Sequence, residues 1–257
     1  MKTKTILLFL LCIVGITTAT AQSDVWVWKD GSAVKTEMAD SITFTVPVRD
    51  LAEATTEDIG MIIGEDGKIY CDKEDAEAAG TTAVAMIAYV GNDAETSSTY
   101  NHGLALALKN VSGDYEKWCR QTSETCLGTQ YSSESDAKGD MAGLANTDAL
   151  VYHSSHTHVA ATAARNYQYA DDVAVGAHPE GTSAWFLPSV GQWDKMATAA
   201  GGYASLKTNA GLGSSDYWSS SEGGAYYAWC WYFSAGDGYW FRDRKGNVNP
   251  VRACLAF

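Results

Sequence analysis

The sequence predicts an α+β fold, and three observations carry this prediction. Helical periodicity is confined to a few separated segments, the chain switches to strand periodicity from Tyr217 onward, and the predicted strands come in runs. Such runs are typical of α+β proteins, whereas strict alternation of strand and helix indicates a parallel sheet. The sequence has no repeat of fixed period, which disfavours solenoids and propellers. With 257 residues, 46% of them hydrophobic and 19% charged, the chain can build a core in one or two domains.

Residues 1–21 are typical of a secretory signal peptide. Two lysines precede an apolar run at 6–16, and Ala19-Thr20-Ala21 offers small residues for cleavage before Gln22. Cys12 follows two leucines instead of the small residues that lipoprotein processing requires, so we do not expect a lipid anchor. No other segment approaches 18 consecutive apolar residues, so we expect no membrane span and a secreted or cell-surface protein.

The charge balance restricts the partners of the protein. There are 18 Lys and Arg against 31 Asp and Glu, which gives a formal net charge of -13. Nucleic acid is therefore not an expected partner, because binding its phosphates requires clustered cations.

Residues 22–58 are expected to form a short N-terminal β module with a connector. The segment 25–28 alternates apolar and polar neighbours before a turn at Lys29-Asp30-Gly31, and 41–46 has strand character. This module is too short to be stable alone. The polar and acidic stretch 49–58 is expected to be the connector.

The main domain is expected to cover residues 59–257. Glu65-Asp66-Gly67 predicts a hairpin turn between two short apolar strands. A helix is expected at 72–79, since its first turn is acidic and Gly80 follows its end. Further along the chain, the sequence predicts strands at 83–90 and 103–108, helices at 137–146, 159–167 and 189–200, and strands after Tyr217.

Five cysteines remain after signal cleavage, and export permits disulfides. An odd count leaves at least one cysteine unpaired. The pairings to test first are Cys119 with Cys126 and Cys230 with Cys254, while Cys71 would remain. The alternative is buried thiols that pack as small hydrophobes, and the sequence does not decide between them.

The segment from Tyr217 to Phe241 contains eleven aromatic residues in 25 positions. In a strand, Trp229, Trp231 and Phe233 would point to one face, and the other face would also be apolar or aromatic. One explanation is a thick aromatic core. The other is a binding surface, because rigid aromatic anchors interleaved with polar residues, here including the serines and glutamate of 219–222, are typical of a paratope.

Several short runs give the chain a family resemblance. They are Trp185-Phe186-Leu187-Pro188-Ser189, Gln192-Trp193, Tyr217-Trp218-Ser219-Ser220-Ser221-Glu222, Tyr227-Ala228-Trp229 and Val251-Arg252-Ala253-Cys254. With these runs the chain resembles the C-type-lectin-fold proteins exported by gut bacteria. It is similar to the ligand-binding variable proteins diversified by retroelements, which are relatives in fold of formylglycine-generating enzymes.

The resemblance implies a C-type lectin-like domain in which the Gln192-Trp193 helix packs under the sheet. It places the ligand surface within 223–249 and makes Trp218, Trp229 and the 251–257 strand scaffold. The candidate ligand-binding residues are Tyr226, Asp237, Tyr239, Trp240, Arg242, Asp243, Arg244, Asn247 and Asn249. We expect scaffold positions to resist substitution and the loop positions 234–249 to tolerate it.

Other chemistry has weaker support in the sequence. The triplets that calcium-dependent lectins use are missing, so calcium-dependent sugar binding is not predicted. His153, His156 and His158 are close enough in sequence to share a metal, but a solvated helix entrance is the favoured explanation because no known metal-motif spacing is present, and we predict no metal or cofactor. The hydroxyls of 219–221 have no neighbouring histidine in the sequence, so no catalytic residue is predicted.

The sequence therefore predicts an exported, non-enzymatic ligand-binding or adhesion protein whose ligand is a protein or a glycan. Diversification of its C-terminal region by a retroelement is part of this hypothesis. Two alternatives stay open, namely an enzyme of the formylglycine-generating-enzyme-like fold and a structural subunit of a surface fibre.

Overall fold

The computed structural model describes residues 25–29, 32–36, 48–111, 115–153, 156–233 and 238–257. The chain divides into two units, Met1–Val46 and Pro47–Phe257. In the first unit, strands β1 (Val25–Lys29) and β2 (Ser32–Thr36) form an antiparallel hairpin. The strand predicted at 25–28 is thus confirmed. The signal peptide and the strand predicted at 41–46 lie outside the described residues.

The largest sheet of the second unit has six strands. These are β3 (Arg49–Asp50), β4 (Ile62–Gly64), β5 (Lys68–Tyr70), β6 (Ala83–Val90), β7 (Gly103–Ala107) and β13 (Cys254–Ala256). Their order across the sheet is β13-β7-β6-β4-β5-β3, and all neighbours are antiparallel. The predicted Asp-Gly hairpin is confirmed as β4 and β5, with Gly67 at φ +74°, a conformation that favours glycine.

Two smaller sheets complete the β structure of the described residues. Strands β9 (Asp216–Glu222), β10 (Tyr227–Tyr232) and β11 (Tyr239–Arg244) are antiparallel in the order β11-β10-β9, so β11 is an outer strand. Strands β8 (Glu116–Lys117) and β12 (Val248–Asn249) form a pair. The fold is thus α+β with several small antiparallel sheets, as predicted.

Six α-helices lie within the described residues: α1 (Lys73–Ala78), α2 (Glu134–Ala137), α3 (Gly143–Val151), α4 (Val159–Arg165), α5 (Val190–Ala199) and α6 (Tyr203–Asn209). The expected helix at 137–146 is wrong, because a turn separates α2 from α3. There the Asp140 carboxylate accepts a hydrogen bond from the Ala142 amide at 3.0 Å, which favours a turn over a helix. Helix α6 was not expected, since the glycine preceding it offers no side-chain cap.

Strands of both larger sheets send alternate side chains into two separate apolar clusters. On β10 and just beyond it, Trp229, Trp231 and Phe233 enter one cluster, whereas Ala228 and Cys230 enter the other. Helices α5 and α6 close the cluster that contains Trp229, and α3 and α4 close the cluster that contains Cys230. The aromatic segment is therefore mainly core, because both faces of β10 are covered by protein.

The segment expected to be a connector, 49–58, is packed into the second unit. Its first two residues form β3, Leu51 is buried, and Asp58 is fully buried. The Asp58 carboxylate pairs with the Arg49 guanidinium and accepts hydrogen bonds from the amide and hydroxyl of Thr55. Burial alone would raise the pKa of Asp58, but the hydrogen bonds from Arg49 and Thr55 outweigh it and hold the pKa below its usual range.

Asp58→Asn should therefore lower the melting temperature at neutral pH, and this loss should shrink as the pH falls below about 4. A carboxyl with a depressed folded-state pKa contributes stability above its unfolded-state pKa, and the contribution disappears as the pH falls through the folded-state value. Thermal melting at neutral and at acidic pH measures the difference, with Asp50→Asn as the control at an exposed neighbour. Equal losses at both pH values would contradict the role of the ion pair.

No helix within the described ranges is long and apolar enough to cross a lipid bilayer.

Candidate functional site

The predicted ligand residues lie on β11, at the turn before β10, and in the turn and strand after β11. Tyr226 and Tyr239 are 58% and 57% exposed, and Arg242, Arg244 and Asn247 are also exposed. Asp243 is half-buried, while Asp237 lies outside the described residues. Trp240 and Asn249 are buried, which corrects the expectation that they face a ligand.

Trp240 is part of the core because its side chain enters the same apolar cluster as Trp229, Trp231 and Phe233. Its ring is 5% exposed and lies 5.1 Å from the ring of Trp231. The indole Nε1 donates to the hydroxyl of Tyr203 at 2.9 Å, and the Tyr203 ring stacks on Trp231 at 3.5 Å. This arrangement satisfies the polar end of the indole inside the protein, so Trp240 stabilises the fold.

The buried side chain of Asn249 supports the turn between β11 and β12. Its Nδ2 donates to the Asp243 carboxylate at 3.1 Å and lies 3.5 Å from the sulfur of Cys230. Asn247 Nδ2 donates to the other Asp243 oxygen at 2.7 Å. Asp243, Asn247 and Asn249 are thus joined by hydrogen bonds, and of these three predicted ligand residues Asn247 is the one that is exposed.

The exposed residues of β11 do not form a single patch, because alternate residues of a strand point to opposite faces. Arg242 lies on the face of Trp240, with its guanidinium 5.9 Å from the Trp229 ring. Tyr239 lies on the other face, 5.4 Å from the ring of Tyr232 and 5.8 Å from that of Phe241. We call Tyr232, Tyr239 and Phe241 the aromatic strip.

The serines of β9, expected among the polar residues of the ligand surface, are buried and internally hydrogen-bonded. Ser219 Oγ donates to the carbonyl of Trp229 at 2.8 Å. Ser221 Oγ donates to the carboxylate of Asp140 at 2.6 Å and accepts from the amide of Val190 at 3.0 Å. These hydroxyls join β9 to β10, to the turn before α3 and to the start of α5, which is a structural role.

Glu222, at the end of β9, is fully buried and holds the loop that follows β8. Its two carboxylate oxygens accept from the amides of Cys126 and Leu127, each at 2.8 Å. The fully buried Lys245 pairs with the same carboxylate, and its ammonium lies 4.9 Å from the centre of the Trp118 ring. A buried carboxylate thus has an ammonium and two amides as partners, as a desolvated charge requires.

Neither expected disulfide forms in the structure. Cys230 and Cys254 are buried in different apolar clusters, and burial raises the pKa of both thiols well above the usual value. Cys119 and Cys126 are neighbours but remain thiols. A hydrogen bond from Cys126 lowers the pKa of the Cys119 thiol to about 7.

The three histidines expected at a solvated helix entrance come together beside these two cysteines. His158 is buried and its ring lies edge-on to the indole of Trp118 at 5.8 Å. His153 and His156 place their Nδ1 atoms 3.1 Å apart. Sequence reasoning missed the proximity of the cysteines, because more than 30 residues separate Cys126 from His158.

The chain matches no protein-family model and no curated protein sequence. In fold it is similar to a fimbrial protein from Bacteroides ovatus ATCC 8483, known from a crystal structure at 1.85 Å resolution, with a TM-score of 0.52 and 18% sequence identity. The similarity covers 77% of this chain and 48% of the fimbrial protein, so the chain matches about half of that protein's length. At this identity the likeness concerns the fold.

Proposed function

We propose that the protein is an exported, non-enzymatic ligand-binding or adhesion protein of C-type lectin-like fold that holds a protein or glycan ligand on the aromatic strip. The observation that carries the proposal is the exposure of Tyr239. This residue is 57% exposed on the outer strand β11, and its ring lies next to those of Tyr232 and Phe241. Tyrosine presents a broad apolar ring and a polar hydroxyl, which suits both sugars and protein surfaces.

Core residues anchor the strand that carries Tyr239. Trp240, which follows Tyr239 in the chain, is buried and pairs with the buried Trp231 in the β10–β11 register. A side chain held by such a backbone loses little conformational freedom when a ligand binds. Arg242 and Arg244 on the opposite face of β11 are a second exposed group, next to Tyr227.

Retroelement diversification, as part of this proposal, would be restricted by the buried positions in the segment. We expect variation at Tyr226, Tyr239, Arg242, Arg244 and Asn247, which are exposed. Codons for Trp240, Lys245 and Asn249 should be constant. A near-repeat in the neighbouring DNA that varies at the buried codons would contradict this.

Tyr239→Ala should weaken ligand capture at least about tenfold while leaving the melting temperature nearly unchanged, since an exposed anchor contributes to binding more than to folding. The measurement is binding of the purified protein to an array of defined oligosaccharides and to a panel of purified cell-surface glycoproteins. Tyr239→Phe should retain most binding, because the stacking surface remains.

Tyr152→Ala is the matched control, because Tyr152 is 78% exposed and lies on a different element, at the end of α3. Ligand capture by the Tyr152→Ala variant should equal that of the wild-type protein. Wild-type protein that binds nothing on either panel, or equal losses for both alanine variants, would contradict the proposed function.

A second candidate is a subunit of a surface fibre, favoured by the fold likeness to a fimbrial protein. Strand exchange between copies through the β1–β2 hairpin would be one route to such a fibre. Analytical ultracentrifugation of the purified protein over a range of concentrations tests it. A strictly monomeric protein would contradict the fibre hypothesis and leave ligand binding in place.

A further inference from the structure

Two groups of metal-binding side chains share one residue in the middle of the second unit. The first consists of Cys119, Cys126 and His158, and the second of His153, His156 and His158, and in each group the ligand atoms lie within 4.8 Å of one another. Zn–S bonds of about 2.3 Å and Zn–N bonds of about 2.0 Å place tetrahedral ligand atoms about 3.3 to 3.8 Å apart. The three ligand atoms of either group therefore need to approach one another by no more than about 1.5 Å to surround an ion.

His158 is the observation that points to a ligand. The residue is 1% exposed, and neither ring nitrogen has a hydrogen-bond partner of normal geometry among the described residues. A buried imidazole without partners is costly, whereas a nitrogen bound to metal is satisfied. The edge contact with Trp118 fixes the ring beside the sulfurs of Cys119 and Cys126.

The surroundings of His156 select it as the fourth ligand. Its Nε2 lies 2.8 Å from a carboxylate oxygen of Glu124, which assigns the ring proton to that nitrogen, so a metal would bind at Nδ1 in place of the present contact with Nδ1 of His153. Metal-binding histidines commonly donate their other nitrogen to a carboxylate in this way. His156 belongs to the group of His158 and not to the group that contains the two sulfurs, so its ring has to move toward them.

The loops that carry these ligands are fixed by other contacts. The Cys126 amide donates to Glu222, and the Lys245 ammonium lies 3.7 Å from the Cys126 sulfur. On the other side, the Arg120 amide donates to the carbonyl of Thr157 at 3.0 Å. The cysteine loop and the histidine segment thus meet through the backbone as well as through the ligands.

We propose that Cys119, Cys126, His156 and His158 bind one zinc ion, which joins the loop after β8 to the start of α4. Two thiolates and two imidazoles are a donor set that suits a borderline-soft d¹⁰ cation, and the two thiol protons pass to solvent on binding. Four protein ligands leave no open position, so the ion is structural and supplies no catalysis. This inference is independent of the aromatic strip.

A disulfide between Cys119 and Cys126 is the competing state. It would use both sulfurs but would leave the buried nitrogens of His158 without a hydrogen-bond partner of normal geometry among the described residues. A metal would bind both sulfurs and also satisfy a nitrogen of His158. The two states differ in measurable ways, because zinc holds reduced thiols.

Metal analysis of the full-length exported protein, purified without chelator, should find about one zinc per chain. After the zinc is removed, titration with Co²⁺ alone should produce the thiolate-to-cobalt charge-transfer absorption and the visible bands of a tetrahedral site. Zinc-free purified protein whose peptide masses show a Cys119–Cys126 disulfide, or cobalt spectra without a thiolate band, would overturn the proposal.

Single variants test the ligand assignment by the same cobalt titration. Cys126→Ser, His156→Ala and His158→Gln should each weaken Co²⁺ binding at least about tenfold. His153→Ala, His178→Gln and Cys71→Ser are the matched controls and should bind as the wild type does. If the His153→Ala variant lost Co²⁺ binding and the His156→Ala variant kept it, the assignment of the fourth ligand would be overturned. The metal analysis and the Co²⁺ titration of the wild-type protein test the proposal even if a variant fails to fold.

Discussion

Replacing Glu222 by Gln should lower the free energy of unfolding by about 3 to 5 kcal/mol, because it leaves the Lys245 ammonium buried without its counterion. Both side chains are fully buried, and the carboxylate also holds the amides of Cys126 and Leu127. Lys245→Met should cost a similar amount by removing the other partner. Urea unfolding measures both variants, with metal content recorded so that a lost ion is not mistaken for a lost ion pair.

The control is an ion pair at the surface. The Glu134 carboxylate and the Lys138 ammonium lie 3.0 Å apart, one helical turn from each other, and Glu134 is exposed while Lys138 is half-buried. Glu134→Gln should change the free energy of unfolding by no more than about 1 kcal/mol. The double variant Glu222→Gln with Lys245→Met should recover part of the loss, since no charge is then left unpaired. Equal effects of Glu134→Gln and Glu222→Gln would contradict the importance of burial.

Much of the fold could be predicted because it depends on local signals. The Asp-Gly turn at Gly67, the acidic start and glycine end of α1, and the apolar stripe of α5 with Trp193 are each contained in about ten residues. The split between α2 and α3 was missed because it depends on one side chain, Asp140, which turns the backbone and also reaches Ser221 on β9. That long-range contact leaves no local pattern.

The candidate ligand surface was predicted only in part, for a physical reason. Polar residues were assigned to the surface, but Ser219, Ser221 and Glu222 are buried because their partners come from distant segments of the chain. Residue type alone cannot show that a hydroxyl or carboxylate is satisfied inside the protein. The exposure of Tyr226 and Tyr239 agrees with the prediction, and their role in binding stays a prediction.

The proposed zinc site was still harder to predict from the sequence than the ligand surface. The sequence shows a cysteine pair and a histidine cluster as two separate features, and neither has the spacing of a known zinc motif. Only the folded chain brings Cys126 to His158, through the hydrogen bond of the Cys126 amide to Glu222 and the start of α4 at Val159.

Substitution along β11 should have effects that alternate residue by residue. Trp240→Ala should lower the free energy of unfolding by about 3 to 5 kcal/mol, because it removes a buried ring packed on Trp231 and leaves the Tyr203 hydroxyl without its donor. Tyr239→Ala, one residue earlier, should change it by no more than about 0.5 kcal/mol. The segment 234–249, expected from sequence to tolerate substitution throughout, should thus contain intolerant positions.

Urea unfolding of the two single variants, combined with ligand capture, tests this alternation. Tyr239→Ala should lose capture and keep stability, whereas Trp240→Ala should lose stability even where no ligand is present. The reason is the period of two in a strand, which places neighbouring aromatic residues in different environments. Equal stability losses at both positions would mean that the Tyr239 ring is part of the core and would remove the physical basis for binding on the aromatic strip.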